Sequence, residues 1–186
     1  MKKITLKGIL VPTISLFLIC FVVAVLLAGT NELTKDAIAE SQQKKSDEAK
    51  QAVCSAAVTF EDAKDAEAYL GYDKNGTLVG YAIPSKDKGY GGDIEIMVGF
   101  DTDGNITGVS IVSISETPGL GMNAQNDSFR DQFKGAVPEN GFTAKKQTEG
   151  KQKIDALSSA TITSEAVSRA VNKAIDVYNS LEGGGN

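Results

Sequence analysis

The sequence has no His and no Trp, two Cys and four Pro among 186 residues, and aromatics make up only 6%. The lack of His removes the usual general base near neutral pH and the commonest metal ligand. A Ser-His-Asp hydrolase and any His-containing zinc site are excluded. Chemistry in such a chain has to be borrowed from a cofactor. Two Cys make no metal or disulfide framework. Cys20 falls inside an apolar run and Cys54 outside it, so they are not expected to pair, and Cys54 reads as a small buried apolar residue. No basic run interrupts a net charge of −5, which makes nucleic acid a poor partner. Hydrophobic content of 41% and charged content of 23% are those of a folded protein, and the length fits one domain plus an appendage.

The appendage is at the N-terminus. Residues 1–8 carry Lys2, Lys3 and Lys7, and residues 9–28 contain no charge and are almost wholly apolar. About twenty such residues cross a hydrocarbon core. Pro12, Thr13 and Ser15 lie in the first turns, where they disturb a helix least. The lysines before the span and Glu32 after it put the N-terminus in the cytoplasm and the rest outside. A cleaved signal is the rival reading, since Ala28-Gly29-Thr30 offers small residues, but the apolar run exceeds a usual signal core. Three lysines and no acid precede residue 29, so residues 29–186 carry −8, enough to keep an external domain soluble or to dock a basic partner.

Residues 29–51 are polar and read as a helical stalk, with a disordered linker as the alternative. Glu40 and Lys44 form a helix-supporting pair four apart. The folded domain is expected over residues 52–182, with a flexible tail at 183–186. Ala56 to Phe60 is a short apolar run. Residues 69–72 and 77–83 flank Asp73-Lys74-Asn75-Gly76 and read as a hairpin. Residues 94–100 and 106–114 flank Asp101 to Asn105 in the same way. The Asp101-Thr102-Asp103-Gly104-Asn105 run has a calcium-loop flavour, but it lacks the closing Glu and reads as a turn. Residues 126–133 predict a short helix with Phe129 and Phe133 in the core. Residues 142–147 and 151–157 are expected strands. The fold class is therefore α+β, an antiparallel sheet of hairpins with packed helices behind one transmembrane helix.

Three stretches are candidates for a site. Gly89-Tyr90-Gly91-Gly92 allows close backbone approach to a flat ligand on which Tyr90 could stack, or it is simply a flexible loop. In Glu116-Thr117-Pro118-Gly119-Leu120-Gly121, Pro118-Gly119 favours a turn with positive φ at Gly119. Glu116 reads either as part of this loop's site or as a surface charge. Five hydroxyls fall within Ser158-Ser159-Ala160-Thr161-Ile162-Thr163-Ser164. A periodic helix from about Ser164 to Leu181 follows, with Thr163 or Ser164 as its cap and Glu165 in its first turn. Such a cluster serves as a cap and turn, or holds a phosphate at the helix N-terminus.

Asp155, followed after two residues by Ser158-Ser159-Ala160-Thr161, resembles the flavinylation motif of the FMN-binding domain family, with Ser159 where that pattern has Gly. Glu116-Thr117-Pro118-Gly119-Leu120-Gly121 is similar to a loop of its electron-transport members. Together they resemble the G-subunit family of the Rnf complex, a relative of which serves the sodium-pumping NADH:quinone oxidoreductase as its C-subunit. The resemblance implies a covalent FMN on Thr161 through a phosphoester. It also implies that 116–121 lies against the flavin and that Tyr90 lines the site. Ser158, Ser159 and Thr163 would bond the phosphate or cap the helix, with Ala160 between them, and Asp155 would be read by a flavin transferase. The partners implied are that transferase and the other membrane subunits of an ion-translocating oxidoreductase. The chain would be an electron carrier with no catalytic residue and no metal, its FMN domain outside the plasma membrane. Another membrane-anchored flavoprotein and a cofactor-free external module stay open as alternatives.

Overall fold

The computed structural model describes residues 6–64, 66–145 and 150–183. The chain divides into two compact units, residues 1–44 and 45–186. Helix α1, Leu6–Val53, runs through the apolar stretch and on through the polar one. The stalk is thus one continuous helix rather than a linker. Residues 9–28 are exposed along their length, and Phe17 and Leu26 keep more than half their surface bare, as a lipid-facing helix does. Thr13 turns its hydroxyl back onto the Ile9 carbonyl at 2.9 Å and so leaves no polar group for lipid. Of the expected 183–186 tail, Gly183 ends helix α3, Thr161–Gly183, and residues 184–186 lie outside the described residues, as do residues 1–5 of the expected cytoplasmic segment, residue 65 and residues 146–149.

The second unit begins earlier than the expected residue 52, because Ala49, Lys50 and Val53 at the end of α1 are already buried in it. Its centre is a five-stranded antiparallel sheet in sequence order: β1 Thr59–Asp62, β2 Tyr69–Tyr72, β3 Leu78–Lys88, β4 Asp93–Phe100 and β5 Ile106–Ser113. Both expected hairpin turns are present. The Asp73 carboxylate accepts from the Asn75 and Thr77 N–H groups at 2.8 Å. That of Asp101 accepts from Asp103 at 3.0 Å and Asn105 at 2.8 Å. These bonds close the loops locally, so Asp101 is engaged by the turn itself.

Alternation along β4 divides its side chains between two faces. Ile94, Ile96, Val98 and Phe100 join the main core, and Met97 joins Ala49, Val53 and Ala82 on the reverse face. There Lys50 Nζ pairs with Asp47 at 2.7 Å and lies 4.2 Å from the Tyr69 ring centroid. Burial pushes the Cys54 thiol upward, as expected for a small apolar filler. The main core is closed by helix α3, Thr161–Gly183, which packs on β3 and β4 through Ala166, Val167, Ala170, Val171, Ala174 and Tyr178. Tyr178 stacks on Phe100 with ring centroids 4.7 Å apart.

Between β5 and α3 the chain is less regular. A 3-10 turn spans Gly121–Gln125, helix α2 covers Asp127–Arg130, and another 3-10 turn covers Asp131–Phe133. Phe129 and Phe133 are buried. The strands expected at 142–147 and 151–157 reduce to β6 Phe142–Thr143 and β7 Gln152–Lys153, and they pair in parallel. The edge of β6 away from β7 is taken up by side chains of α3, while the Gly141 and Thr143 carbonyls accept from β7 and the residue after it. Asn172 bonds both the N–H and the carbonyl of Phe142, at 2.8 and 2.9 Å, and Glu165 accepts from the Ala144 N–H at 2.8 Å.

The end of β3 is clamped to α3 by charge. Asp87 pairs with Arg169 at 2.7 Å and with Lys173 at 2.8 Å. Burial pushes the Asp87 carboxyl up, but the two cations outweigh it and hold the group below the ordinary range. A lowered folded-state pKa stabilises the fold above the unfolded value near 4 and is lost as pH falls through the folded one. Arg169 and Lys173 are half-exposed and screened, so Asp87→Asn should lose about 0.5–1 kcal/mol at pH 7. In urea titrations the gap between the two proteins should close below about pH 4; a gap unchanged at pH 3 would refute this account.

Candidate functional site

The site forms where three loops meet at the start of α3. The first is the Gly89–Gly92 turn joining β3 to β4, closed by the Gly89 N–H on the Gly92 carbonyl at 2.8 Å. The second is 116–121, which leaves the sheet after β5. Gly119 has φ +78 and the Leu120 N–H reaches the Thr117 carbonyl at 3.1 Å, so Pro118-Gly119 makes the expected turn. The third is 155–160, anchored at both ends. The Gln132 amide accepts from the Asp155 N–H at 2.6 Å and donates to the Asp155 carbonyl at 3.3 Å. The Ser164 hydroxyl accepts from the Leu157 N–H and donates to the Ala160 carbonyl, both at 2.9 Å.

Helix α3 starts at Thr161, not near Ser164 as the apolar periodicity suggests. Thr163 and Ser164 are therefore not caps. Both lie inside the first turn and are buried, as is Ala160. Glu165 is likewise past the first turn and reaches across to β6. The early start is possible because Ser159 adopts φ +58, which reverses the chain just ahead of the helix. It is the only described non-Gly residue at positive φ, a conformation that costs most side chains roughly 1–2 kcal/mol. Glycine takes this conformation freely, and here Ser bears the strain.

Around the helix start lies a pocket of about 560 Å³, within the range of small-molecule sites. Tyr90, Glu116, Thr117, Leu120, Gly121, Ser159, Ala160, Thr161 and Thr163 line it, so nine of the sequence candidates converge there. Ser158, Pro118 and Gly119 do not line it, and Asp155 stands exposed outside it. Ile162 is a lining residue that sequence reasoning missed. It lies off the apolar stripe of α3, and no pattern marks it. Tyr90, Leu120 and Ile162 are 74%, 40% and 56% exposed and form an apolar rim.

Glu116 is buried and is not a surface charge. Its carboxylate accepts from the Tyr90 N–H at 2.7 Å and the Gly91 N–H at 3.2 Å, tying the first loop to the second. Two glycines make room for it: a Cβ at Gly89 would stand 2.2 Å from Glu116 Oε1, and one at Gly121 2.8 Å from Oε2. The same Cβ at Gly121 would meet the Thr163 hydroxyl at 2.7 Å, so the third element packs there too.

The lining therefore offers an apolar rim for a planar ring. It offers hydroxyls and a helix N-terminus for a phosphate, and no Lys or Arg among the described residues. This donor set suits a flavin mononucleotide. A family model described as an FMN-binding domain matches residues 89–176, and one described as the RnfG N-terminal region matches residues 1–53. The chain is 33% identical over 178 residues to the G-subunit of the proton-translocating ferredoxin:NAD(+) oxidoreductase complex of Clostridium ljungdahlii, covering 96% of each. It is 37% identical over 186 residues to the G-subunit of the Na(+)-translocating ferredoxin:NAD(+) oxidoreductase complex of Acetobacterium woodii, covering 89% of each. A solved structure of the C-subunit of the Na(+)-translocating NADH-quinone reductase of Parabacteroides distasonis aligns over 60% of this chain and 59% of that one, at TM-score 0.49 and 23% identity. On the sequence relationships, the chain belongs to the G-subunit family of Rnf complexes, with an FMN-binding domain.

Relief of the strain at residue 159 can be measured. Ser159→Gly should raise stability by about 0.5 kcal/mol, the released strain exceeding the entropy that Gly adds to the unfolded chain. Ser159→Val, β-branched at positive φ, should lower it by about 1–2 kcal/mol. Denaturant midpoints that rank Val above Gly would contradict the assigned backbone.

Proposed function

We propose that the chain is the membrane-anchored flavoprotein of an Rnf-type ion-translocating oxidoreductase, carrying FMN on Thr161 and relaying electrons. Its apolar N-terminal helix is the single-pass anchor, and Lys2, Lys3 and Lys7 before the span place the FMN domain on the extracytoplasmic face. The partners are the other membrane subunits, which supply the electron donor and acceptor, and a flavin transferase. The flavin supplies the redox chemistry, and no side chain of the chain is catalytic.

The observation that carries this reading is a pocket containing an exposed hydroxyl at a helix N-terminus, with no cation among the described residues that line it. A free FMN phosphate holds nearly two negative charges at neutral pH and usually draws Arg or Lys. Joined to Thr161 Oγ1 as a diester it keeps one charge, which the N-terminal N–H groups of α3 and nearby hydroxyls can meet. Ser159 and Thr163 stand beside it as hydrogen-bonding hydroxyls. Asp155, exposed on the anchored loop, is available for recognition by the transferase. Leu120, Ile162 and Tyr90 are placed to meet the ring. A covalent tether also keeps the cofactor in place outside the cell.

The test is the intact mass of the full chain, coexpressed with a flavin transferase and measured denatured. The expected gain is FMN less one water, mapped to the peptide containing Thr161. Thr161→Ala removes only a hydroxyl and a methyl at an exposed position, so it should retain the fold and carry no covalent flavin. Covalent flavin fluorescence persisting on a denaturing gel of that variant would rule out Thr161 as the attachment point.

A further inference from the structure

Tyr90 combines two properties that rarely go together. Its side chain is 74% exposed at the pocket mouth, yet its backbone is held from both sides. On one side the Glu116 carboxylate takes the N–H groups of Tyr90 and Gly91. On the other, Arg169 donates to the Lys88 carbonyl at 3.2 Å while it pairs with Asp87. An exposed aromatic ordinarily costs little to leave mobile, and a loop of three glycines around one tyrosine would be free to move. Here a buried carboxylate is spent on fixing it. Hydrogen bonds from backbone N–H to a carboxylate are among the stronger ones, and the glycines at 89 and 121 are what allow the carboxylate in.

We propose that Glu116 is a positioning residue that holds Tyr90 as a preformed stacking platform, so that the tyrosine ring closes one face of the flavin pocket. The inference rests on the flavin reading above for its ligand. Without the Glu116 carboxylate the Tyr90 and Gly91 N–H groups lose this acceptor at the tip of the turn, and the ring must be ordered when the flavin arrives. Preorganisation of this kind stabilises the bound state by removing that ordering step. Phenol and isoalloxazine prefer offset stacking, and a stacked electron-rich ring quenches flavin emission.

The experiment uses the full chain in detergent, with and without flavin loading. In the unloaded protein, hydrogen exchange at the Tyr90 and Gly91 amides should accelerate about tenfold or more in Glu116→Ala, as follows from losing a charge-assisted bond. Glu116→Asp, one methylene too short to reach both amides, should behave similarly. In the loaded protein, Tyr90→Ala should brighten the flavin several-fold, and Tyr90→Phe should brighten it too, because a benzene ring stacks but cannot give an electron to the excited flavin as a phenol does. Glu116→Ala should also brighten it, but should add nothing in the Tyr90→Ala background, because its effect passes through the ring. Equal brightening in both backgrounds, or unchanged exchange at Tyr90 and Gly91, would overturn the proposal. If Glu116→Ala does not fold, Glu116→Gln carries the same comparisons with smaller effects. A wild-type chain that takes up no flavin would sink the function proposed above and the stacking half of this inference, while the exchange measurement would still decide whether Glu116 holds the loop.

Discussion

The constraint on which the second unit depends is the seating of α3 on the sheet. Ala166, Ala170 and Ala174 recur every fourth residue with no exposed surface, so the helix axis can approach β3 and β4 closely. Val167 and Val171 fill the space beside them, and Tyr178 locks the far end against Phe100 and Tyr81. A helix that long, fixed along one face, has no freedom to choose where its first turn lies. Its N-terminus arrives beside the loops that leave β3 and β5, and the Asp87 ion pairs with Arg169 and Lys173 reinforce the same register. The pocket is thus a by-product of core packing: the three loops converge because the helix brings one of them to the other two.

Much of this was legible in the residues. The two hairpins were readable because their turns are local chemistry: an Asp that bonds the N–H groups two and four residues on, then a Gly at positive φ. The apolar stripe of α3 and the core role of Phe129 and Phe133 followed from period and spacing. What failed were features settled by distant partners. The start of α3 was placed too late because Thr163 and Ser164 look like caps, and only the fold reveals that they are buried and that Ser164 bonds back to residues 157 and 160. Strands β6 and β7 are shorter than their residues suggest, and the outer edge of β6 is bonded by Asn172 and Glu165, about twenty or thirty residues away.

The site shows the same division. Its loops carry sequence signals, and nine of the candidate residues meet. The role of Glu116 could not be read, because a Glu after a strand is ordinarily solvated, and its partners are amides 25 and 26 residues earlier. Glycine was the available clue. Gly89 and Gly121 are each bare where that one carboxylate needs room, so glycines in two separate loops answer to a single side chain.

The hydroxyl cluster gains its meaning from burial. Of the five hydroxyls between residues 158 and 164, Thr163 and Ser164 are buried in the first turn of α3, Thr163 at the floor of the pocket, and Ser158 is exposed but lies off the pocket. Ser159 and Thr161 remain both exposed and in the lining. Ser159 is in the left-handed conformation, which makes it the pivot of the turn. Thr161 is the first residue of the helix, where the positive end of the macrodipole and the unpaired N–H groups act on whatever its oxygen carries. The Tyr90 and Leu120 rim lies across the same pocket. The strained turn at Ser159 is therefore the feature that sets the exposed Thr161 hydroxyl at the start of α3, in the pocket lining.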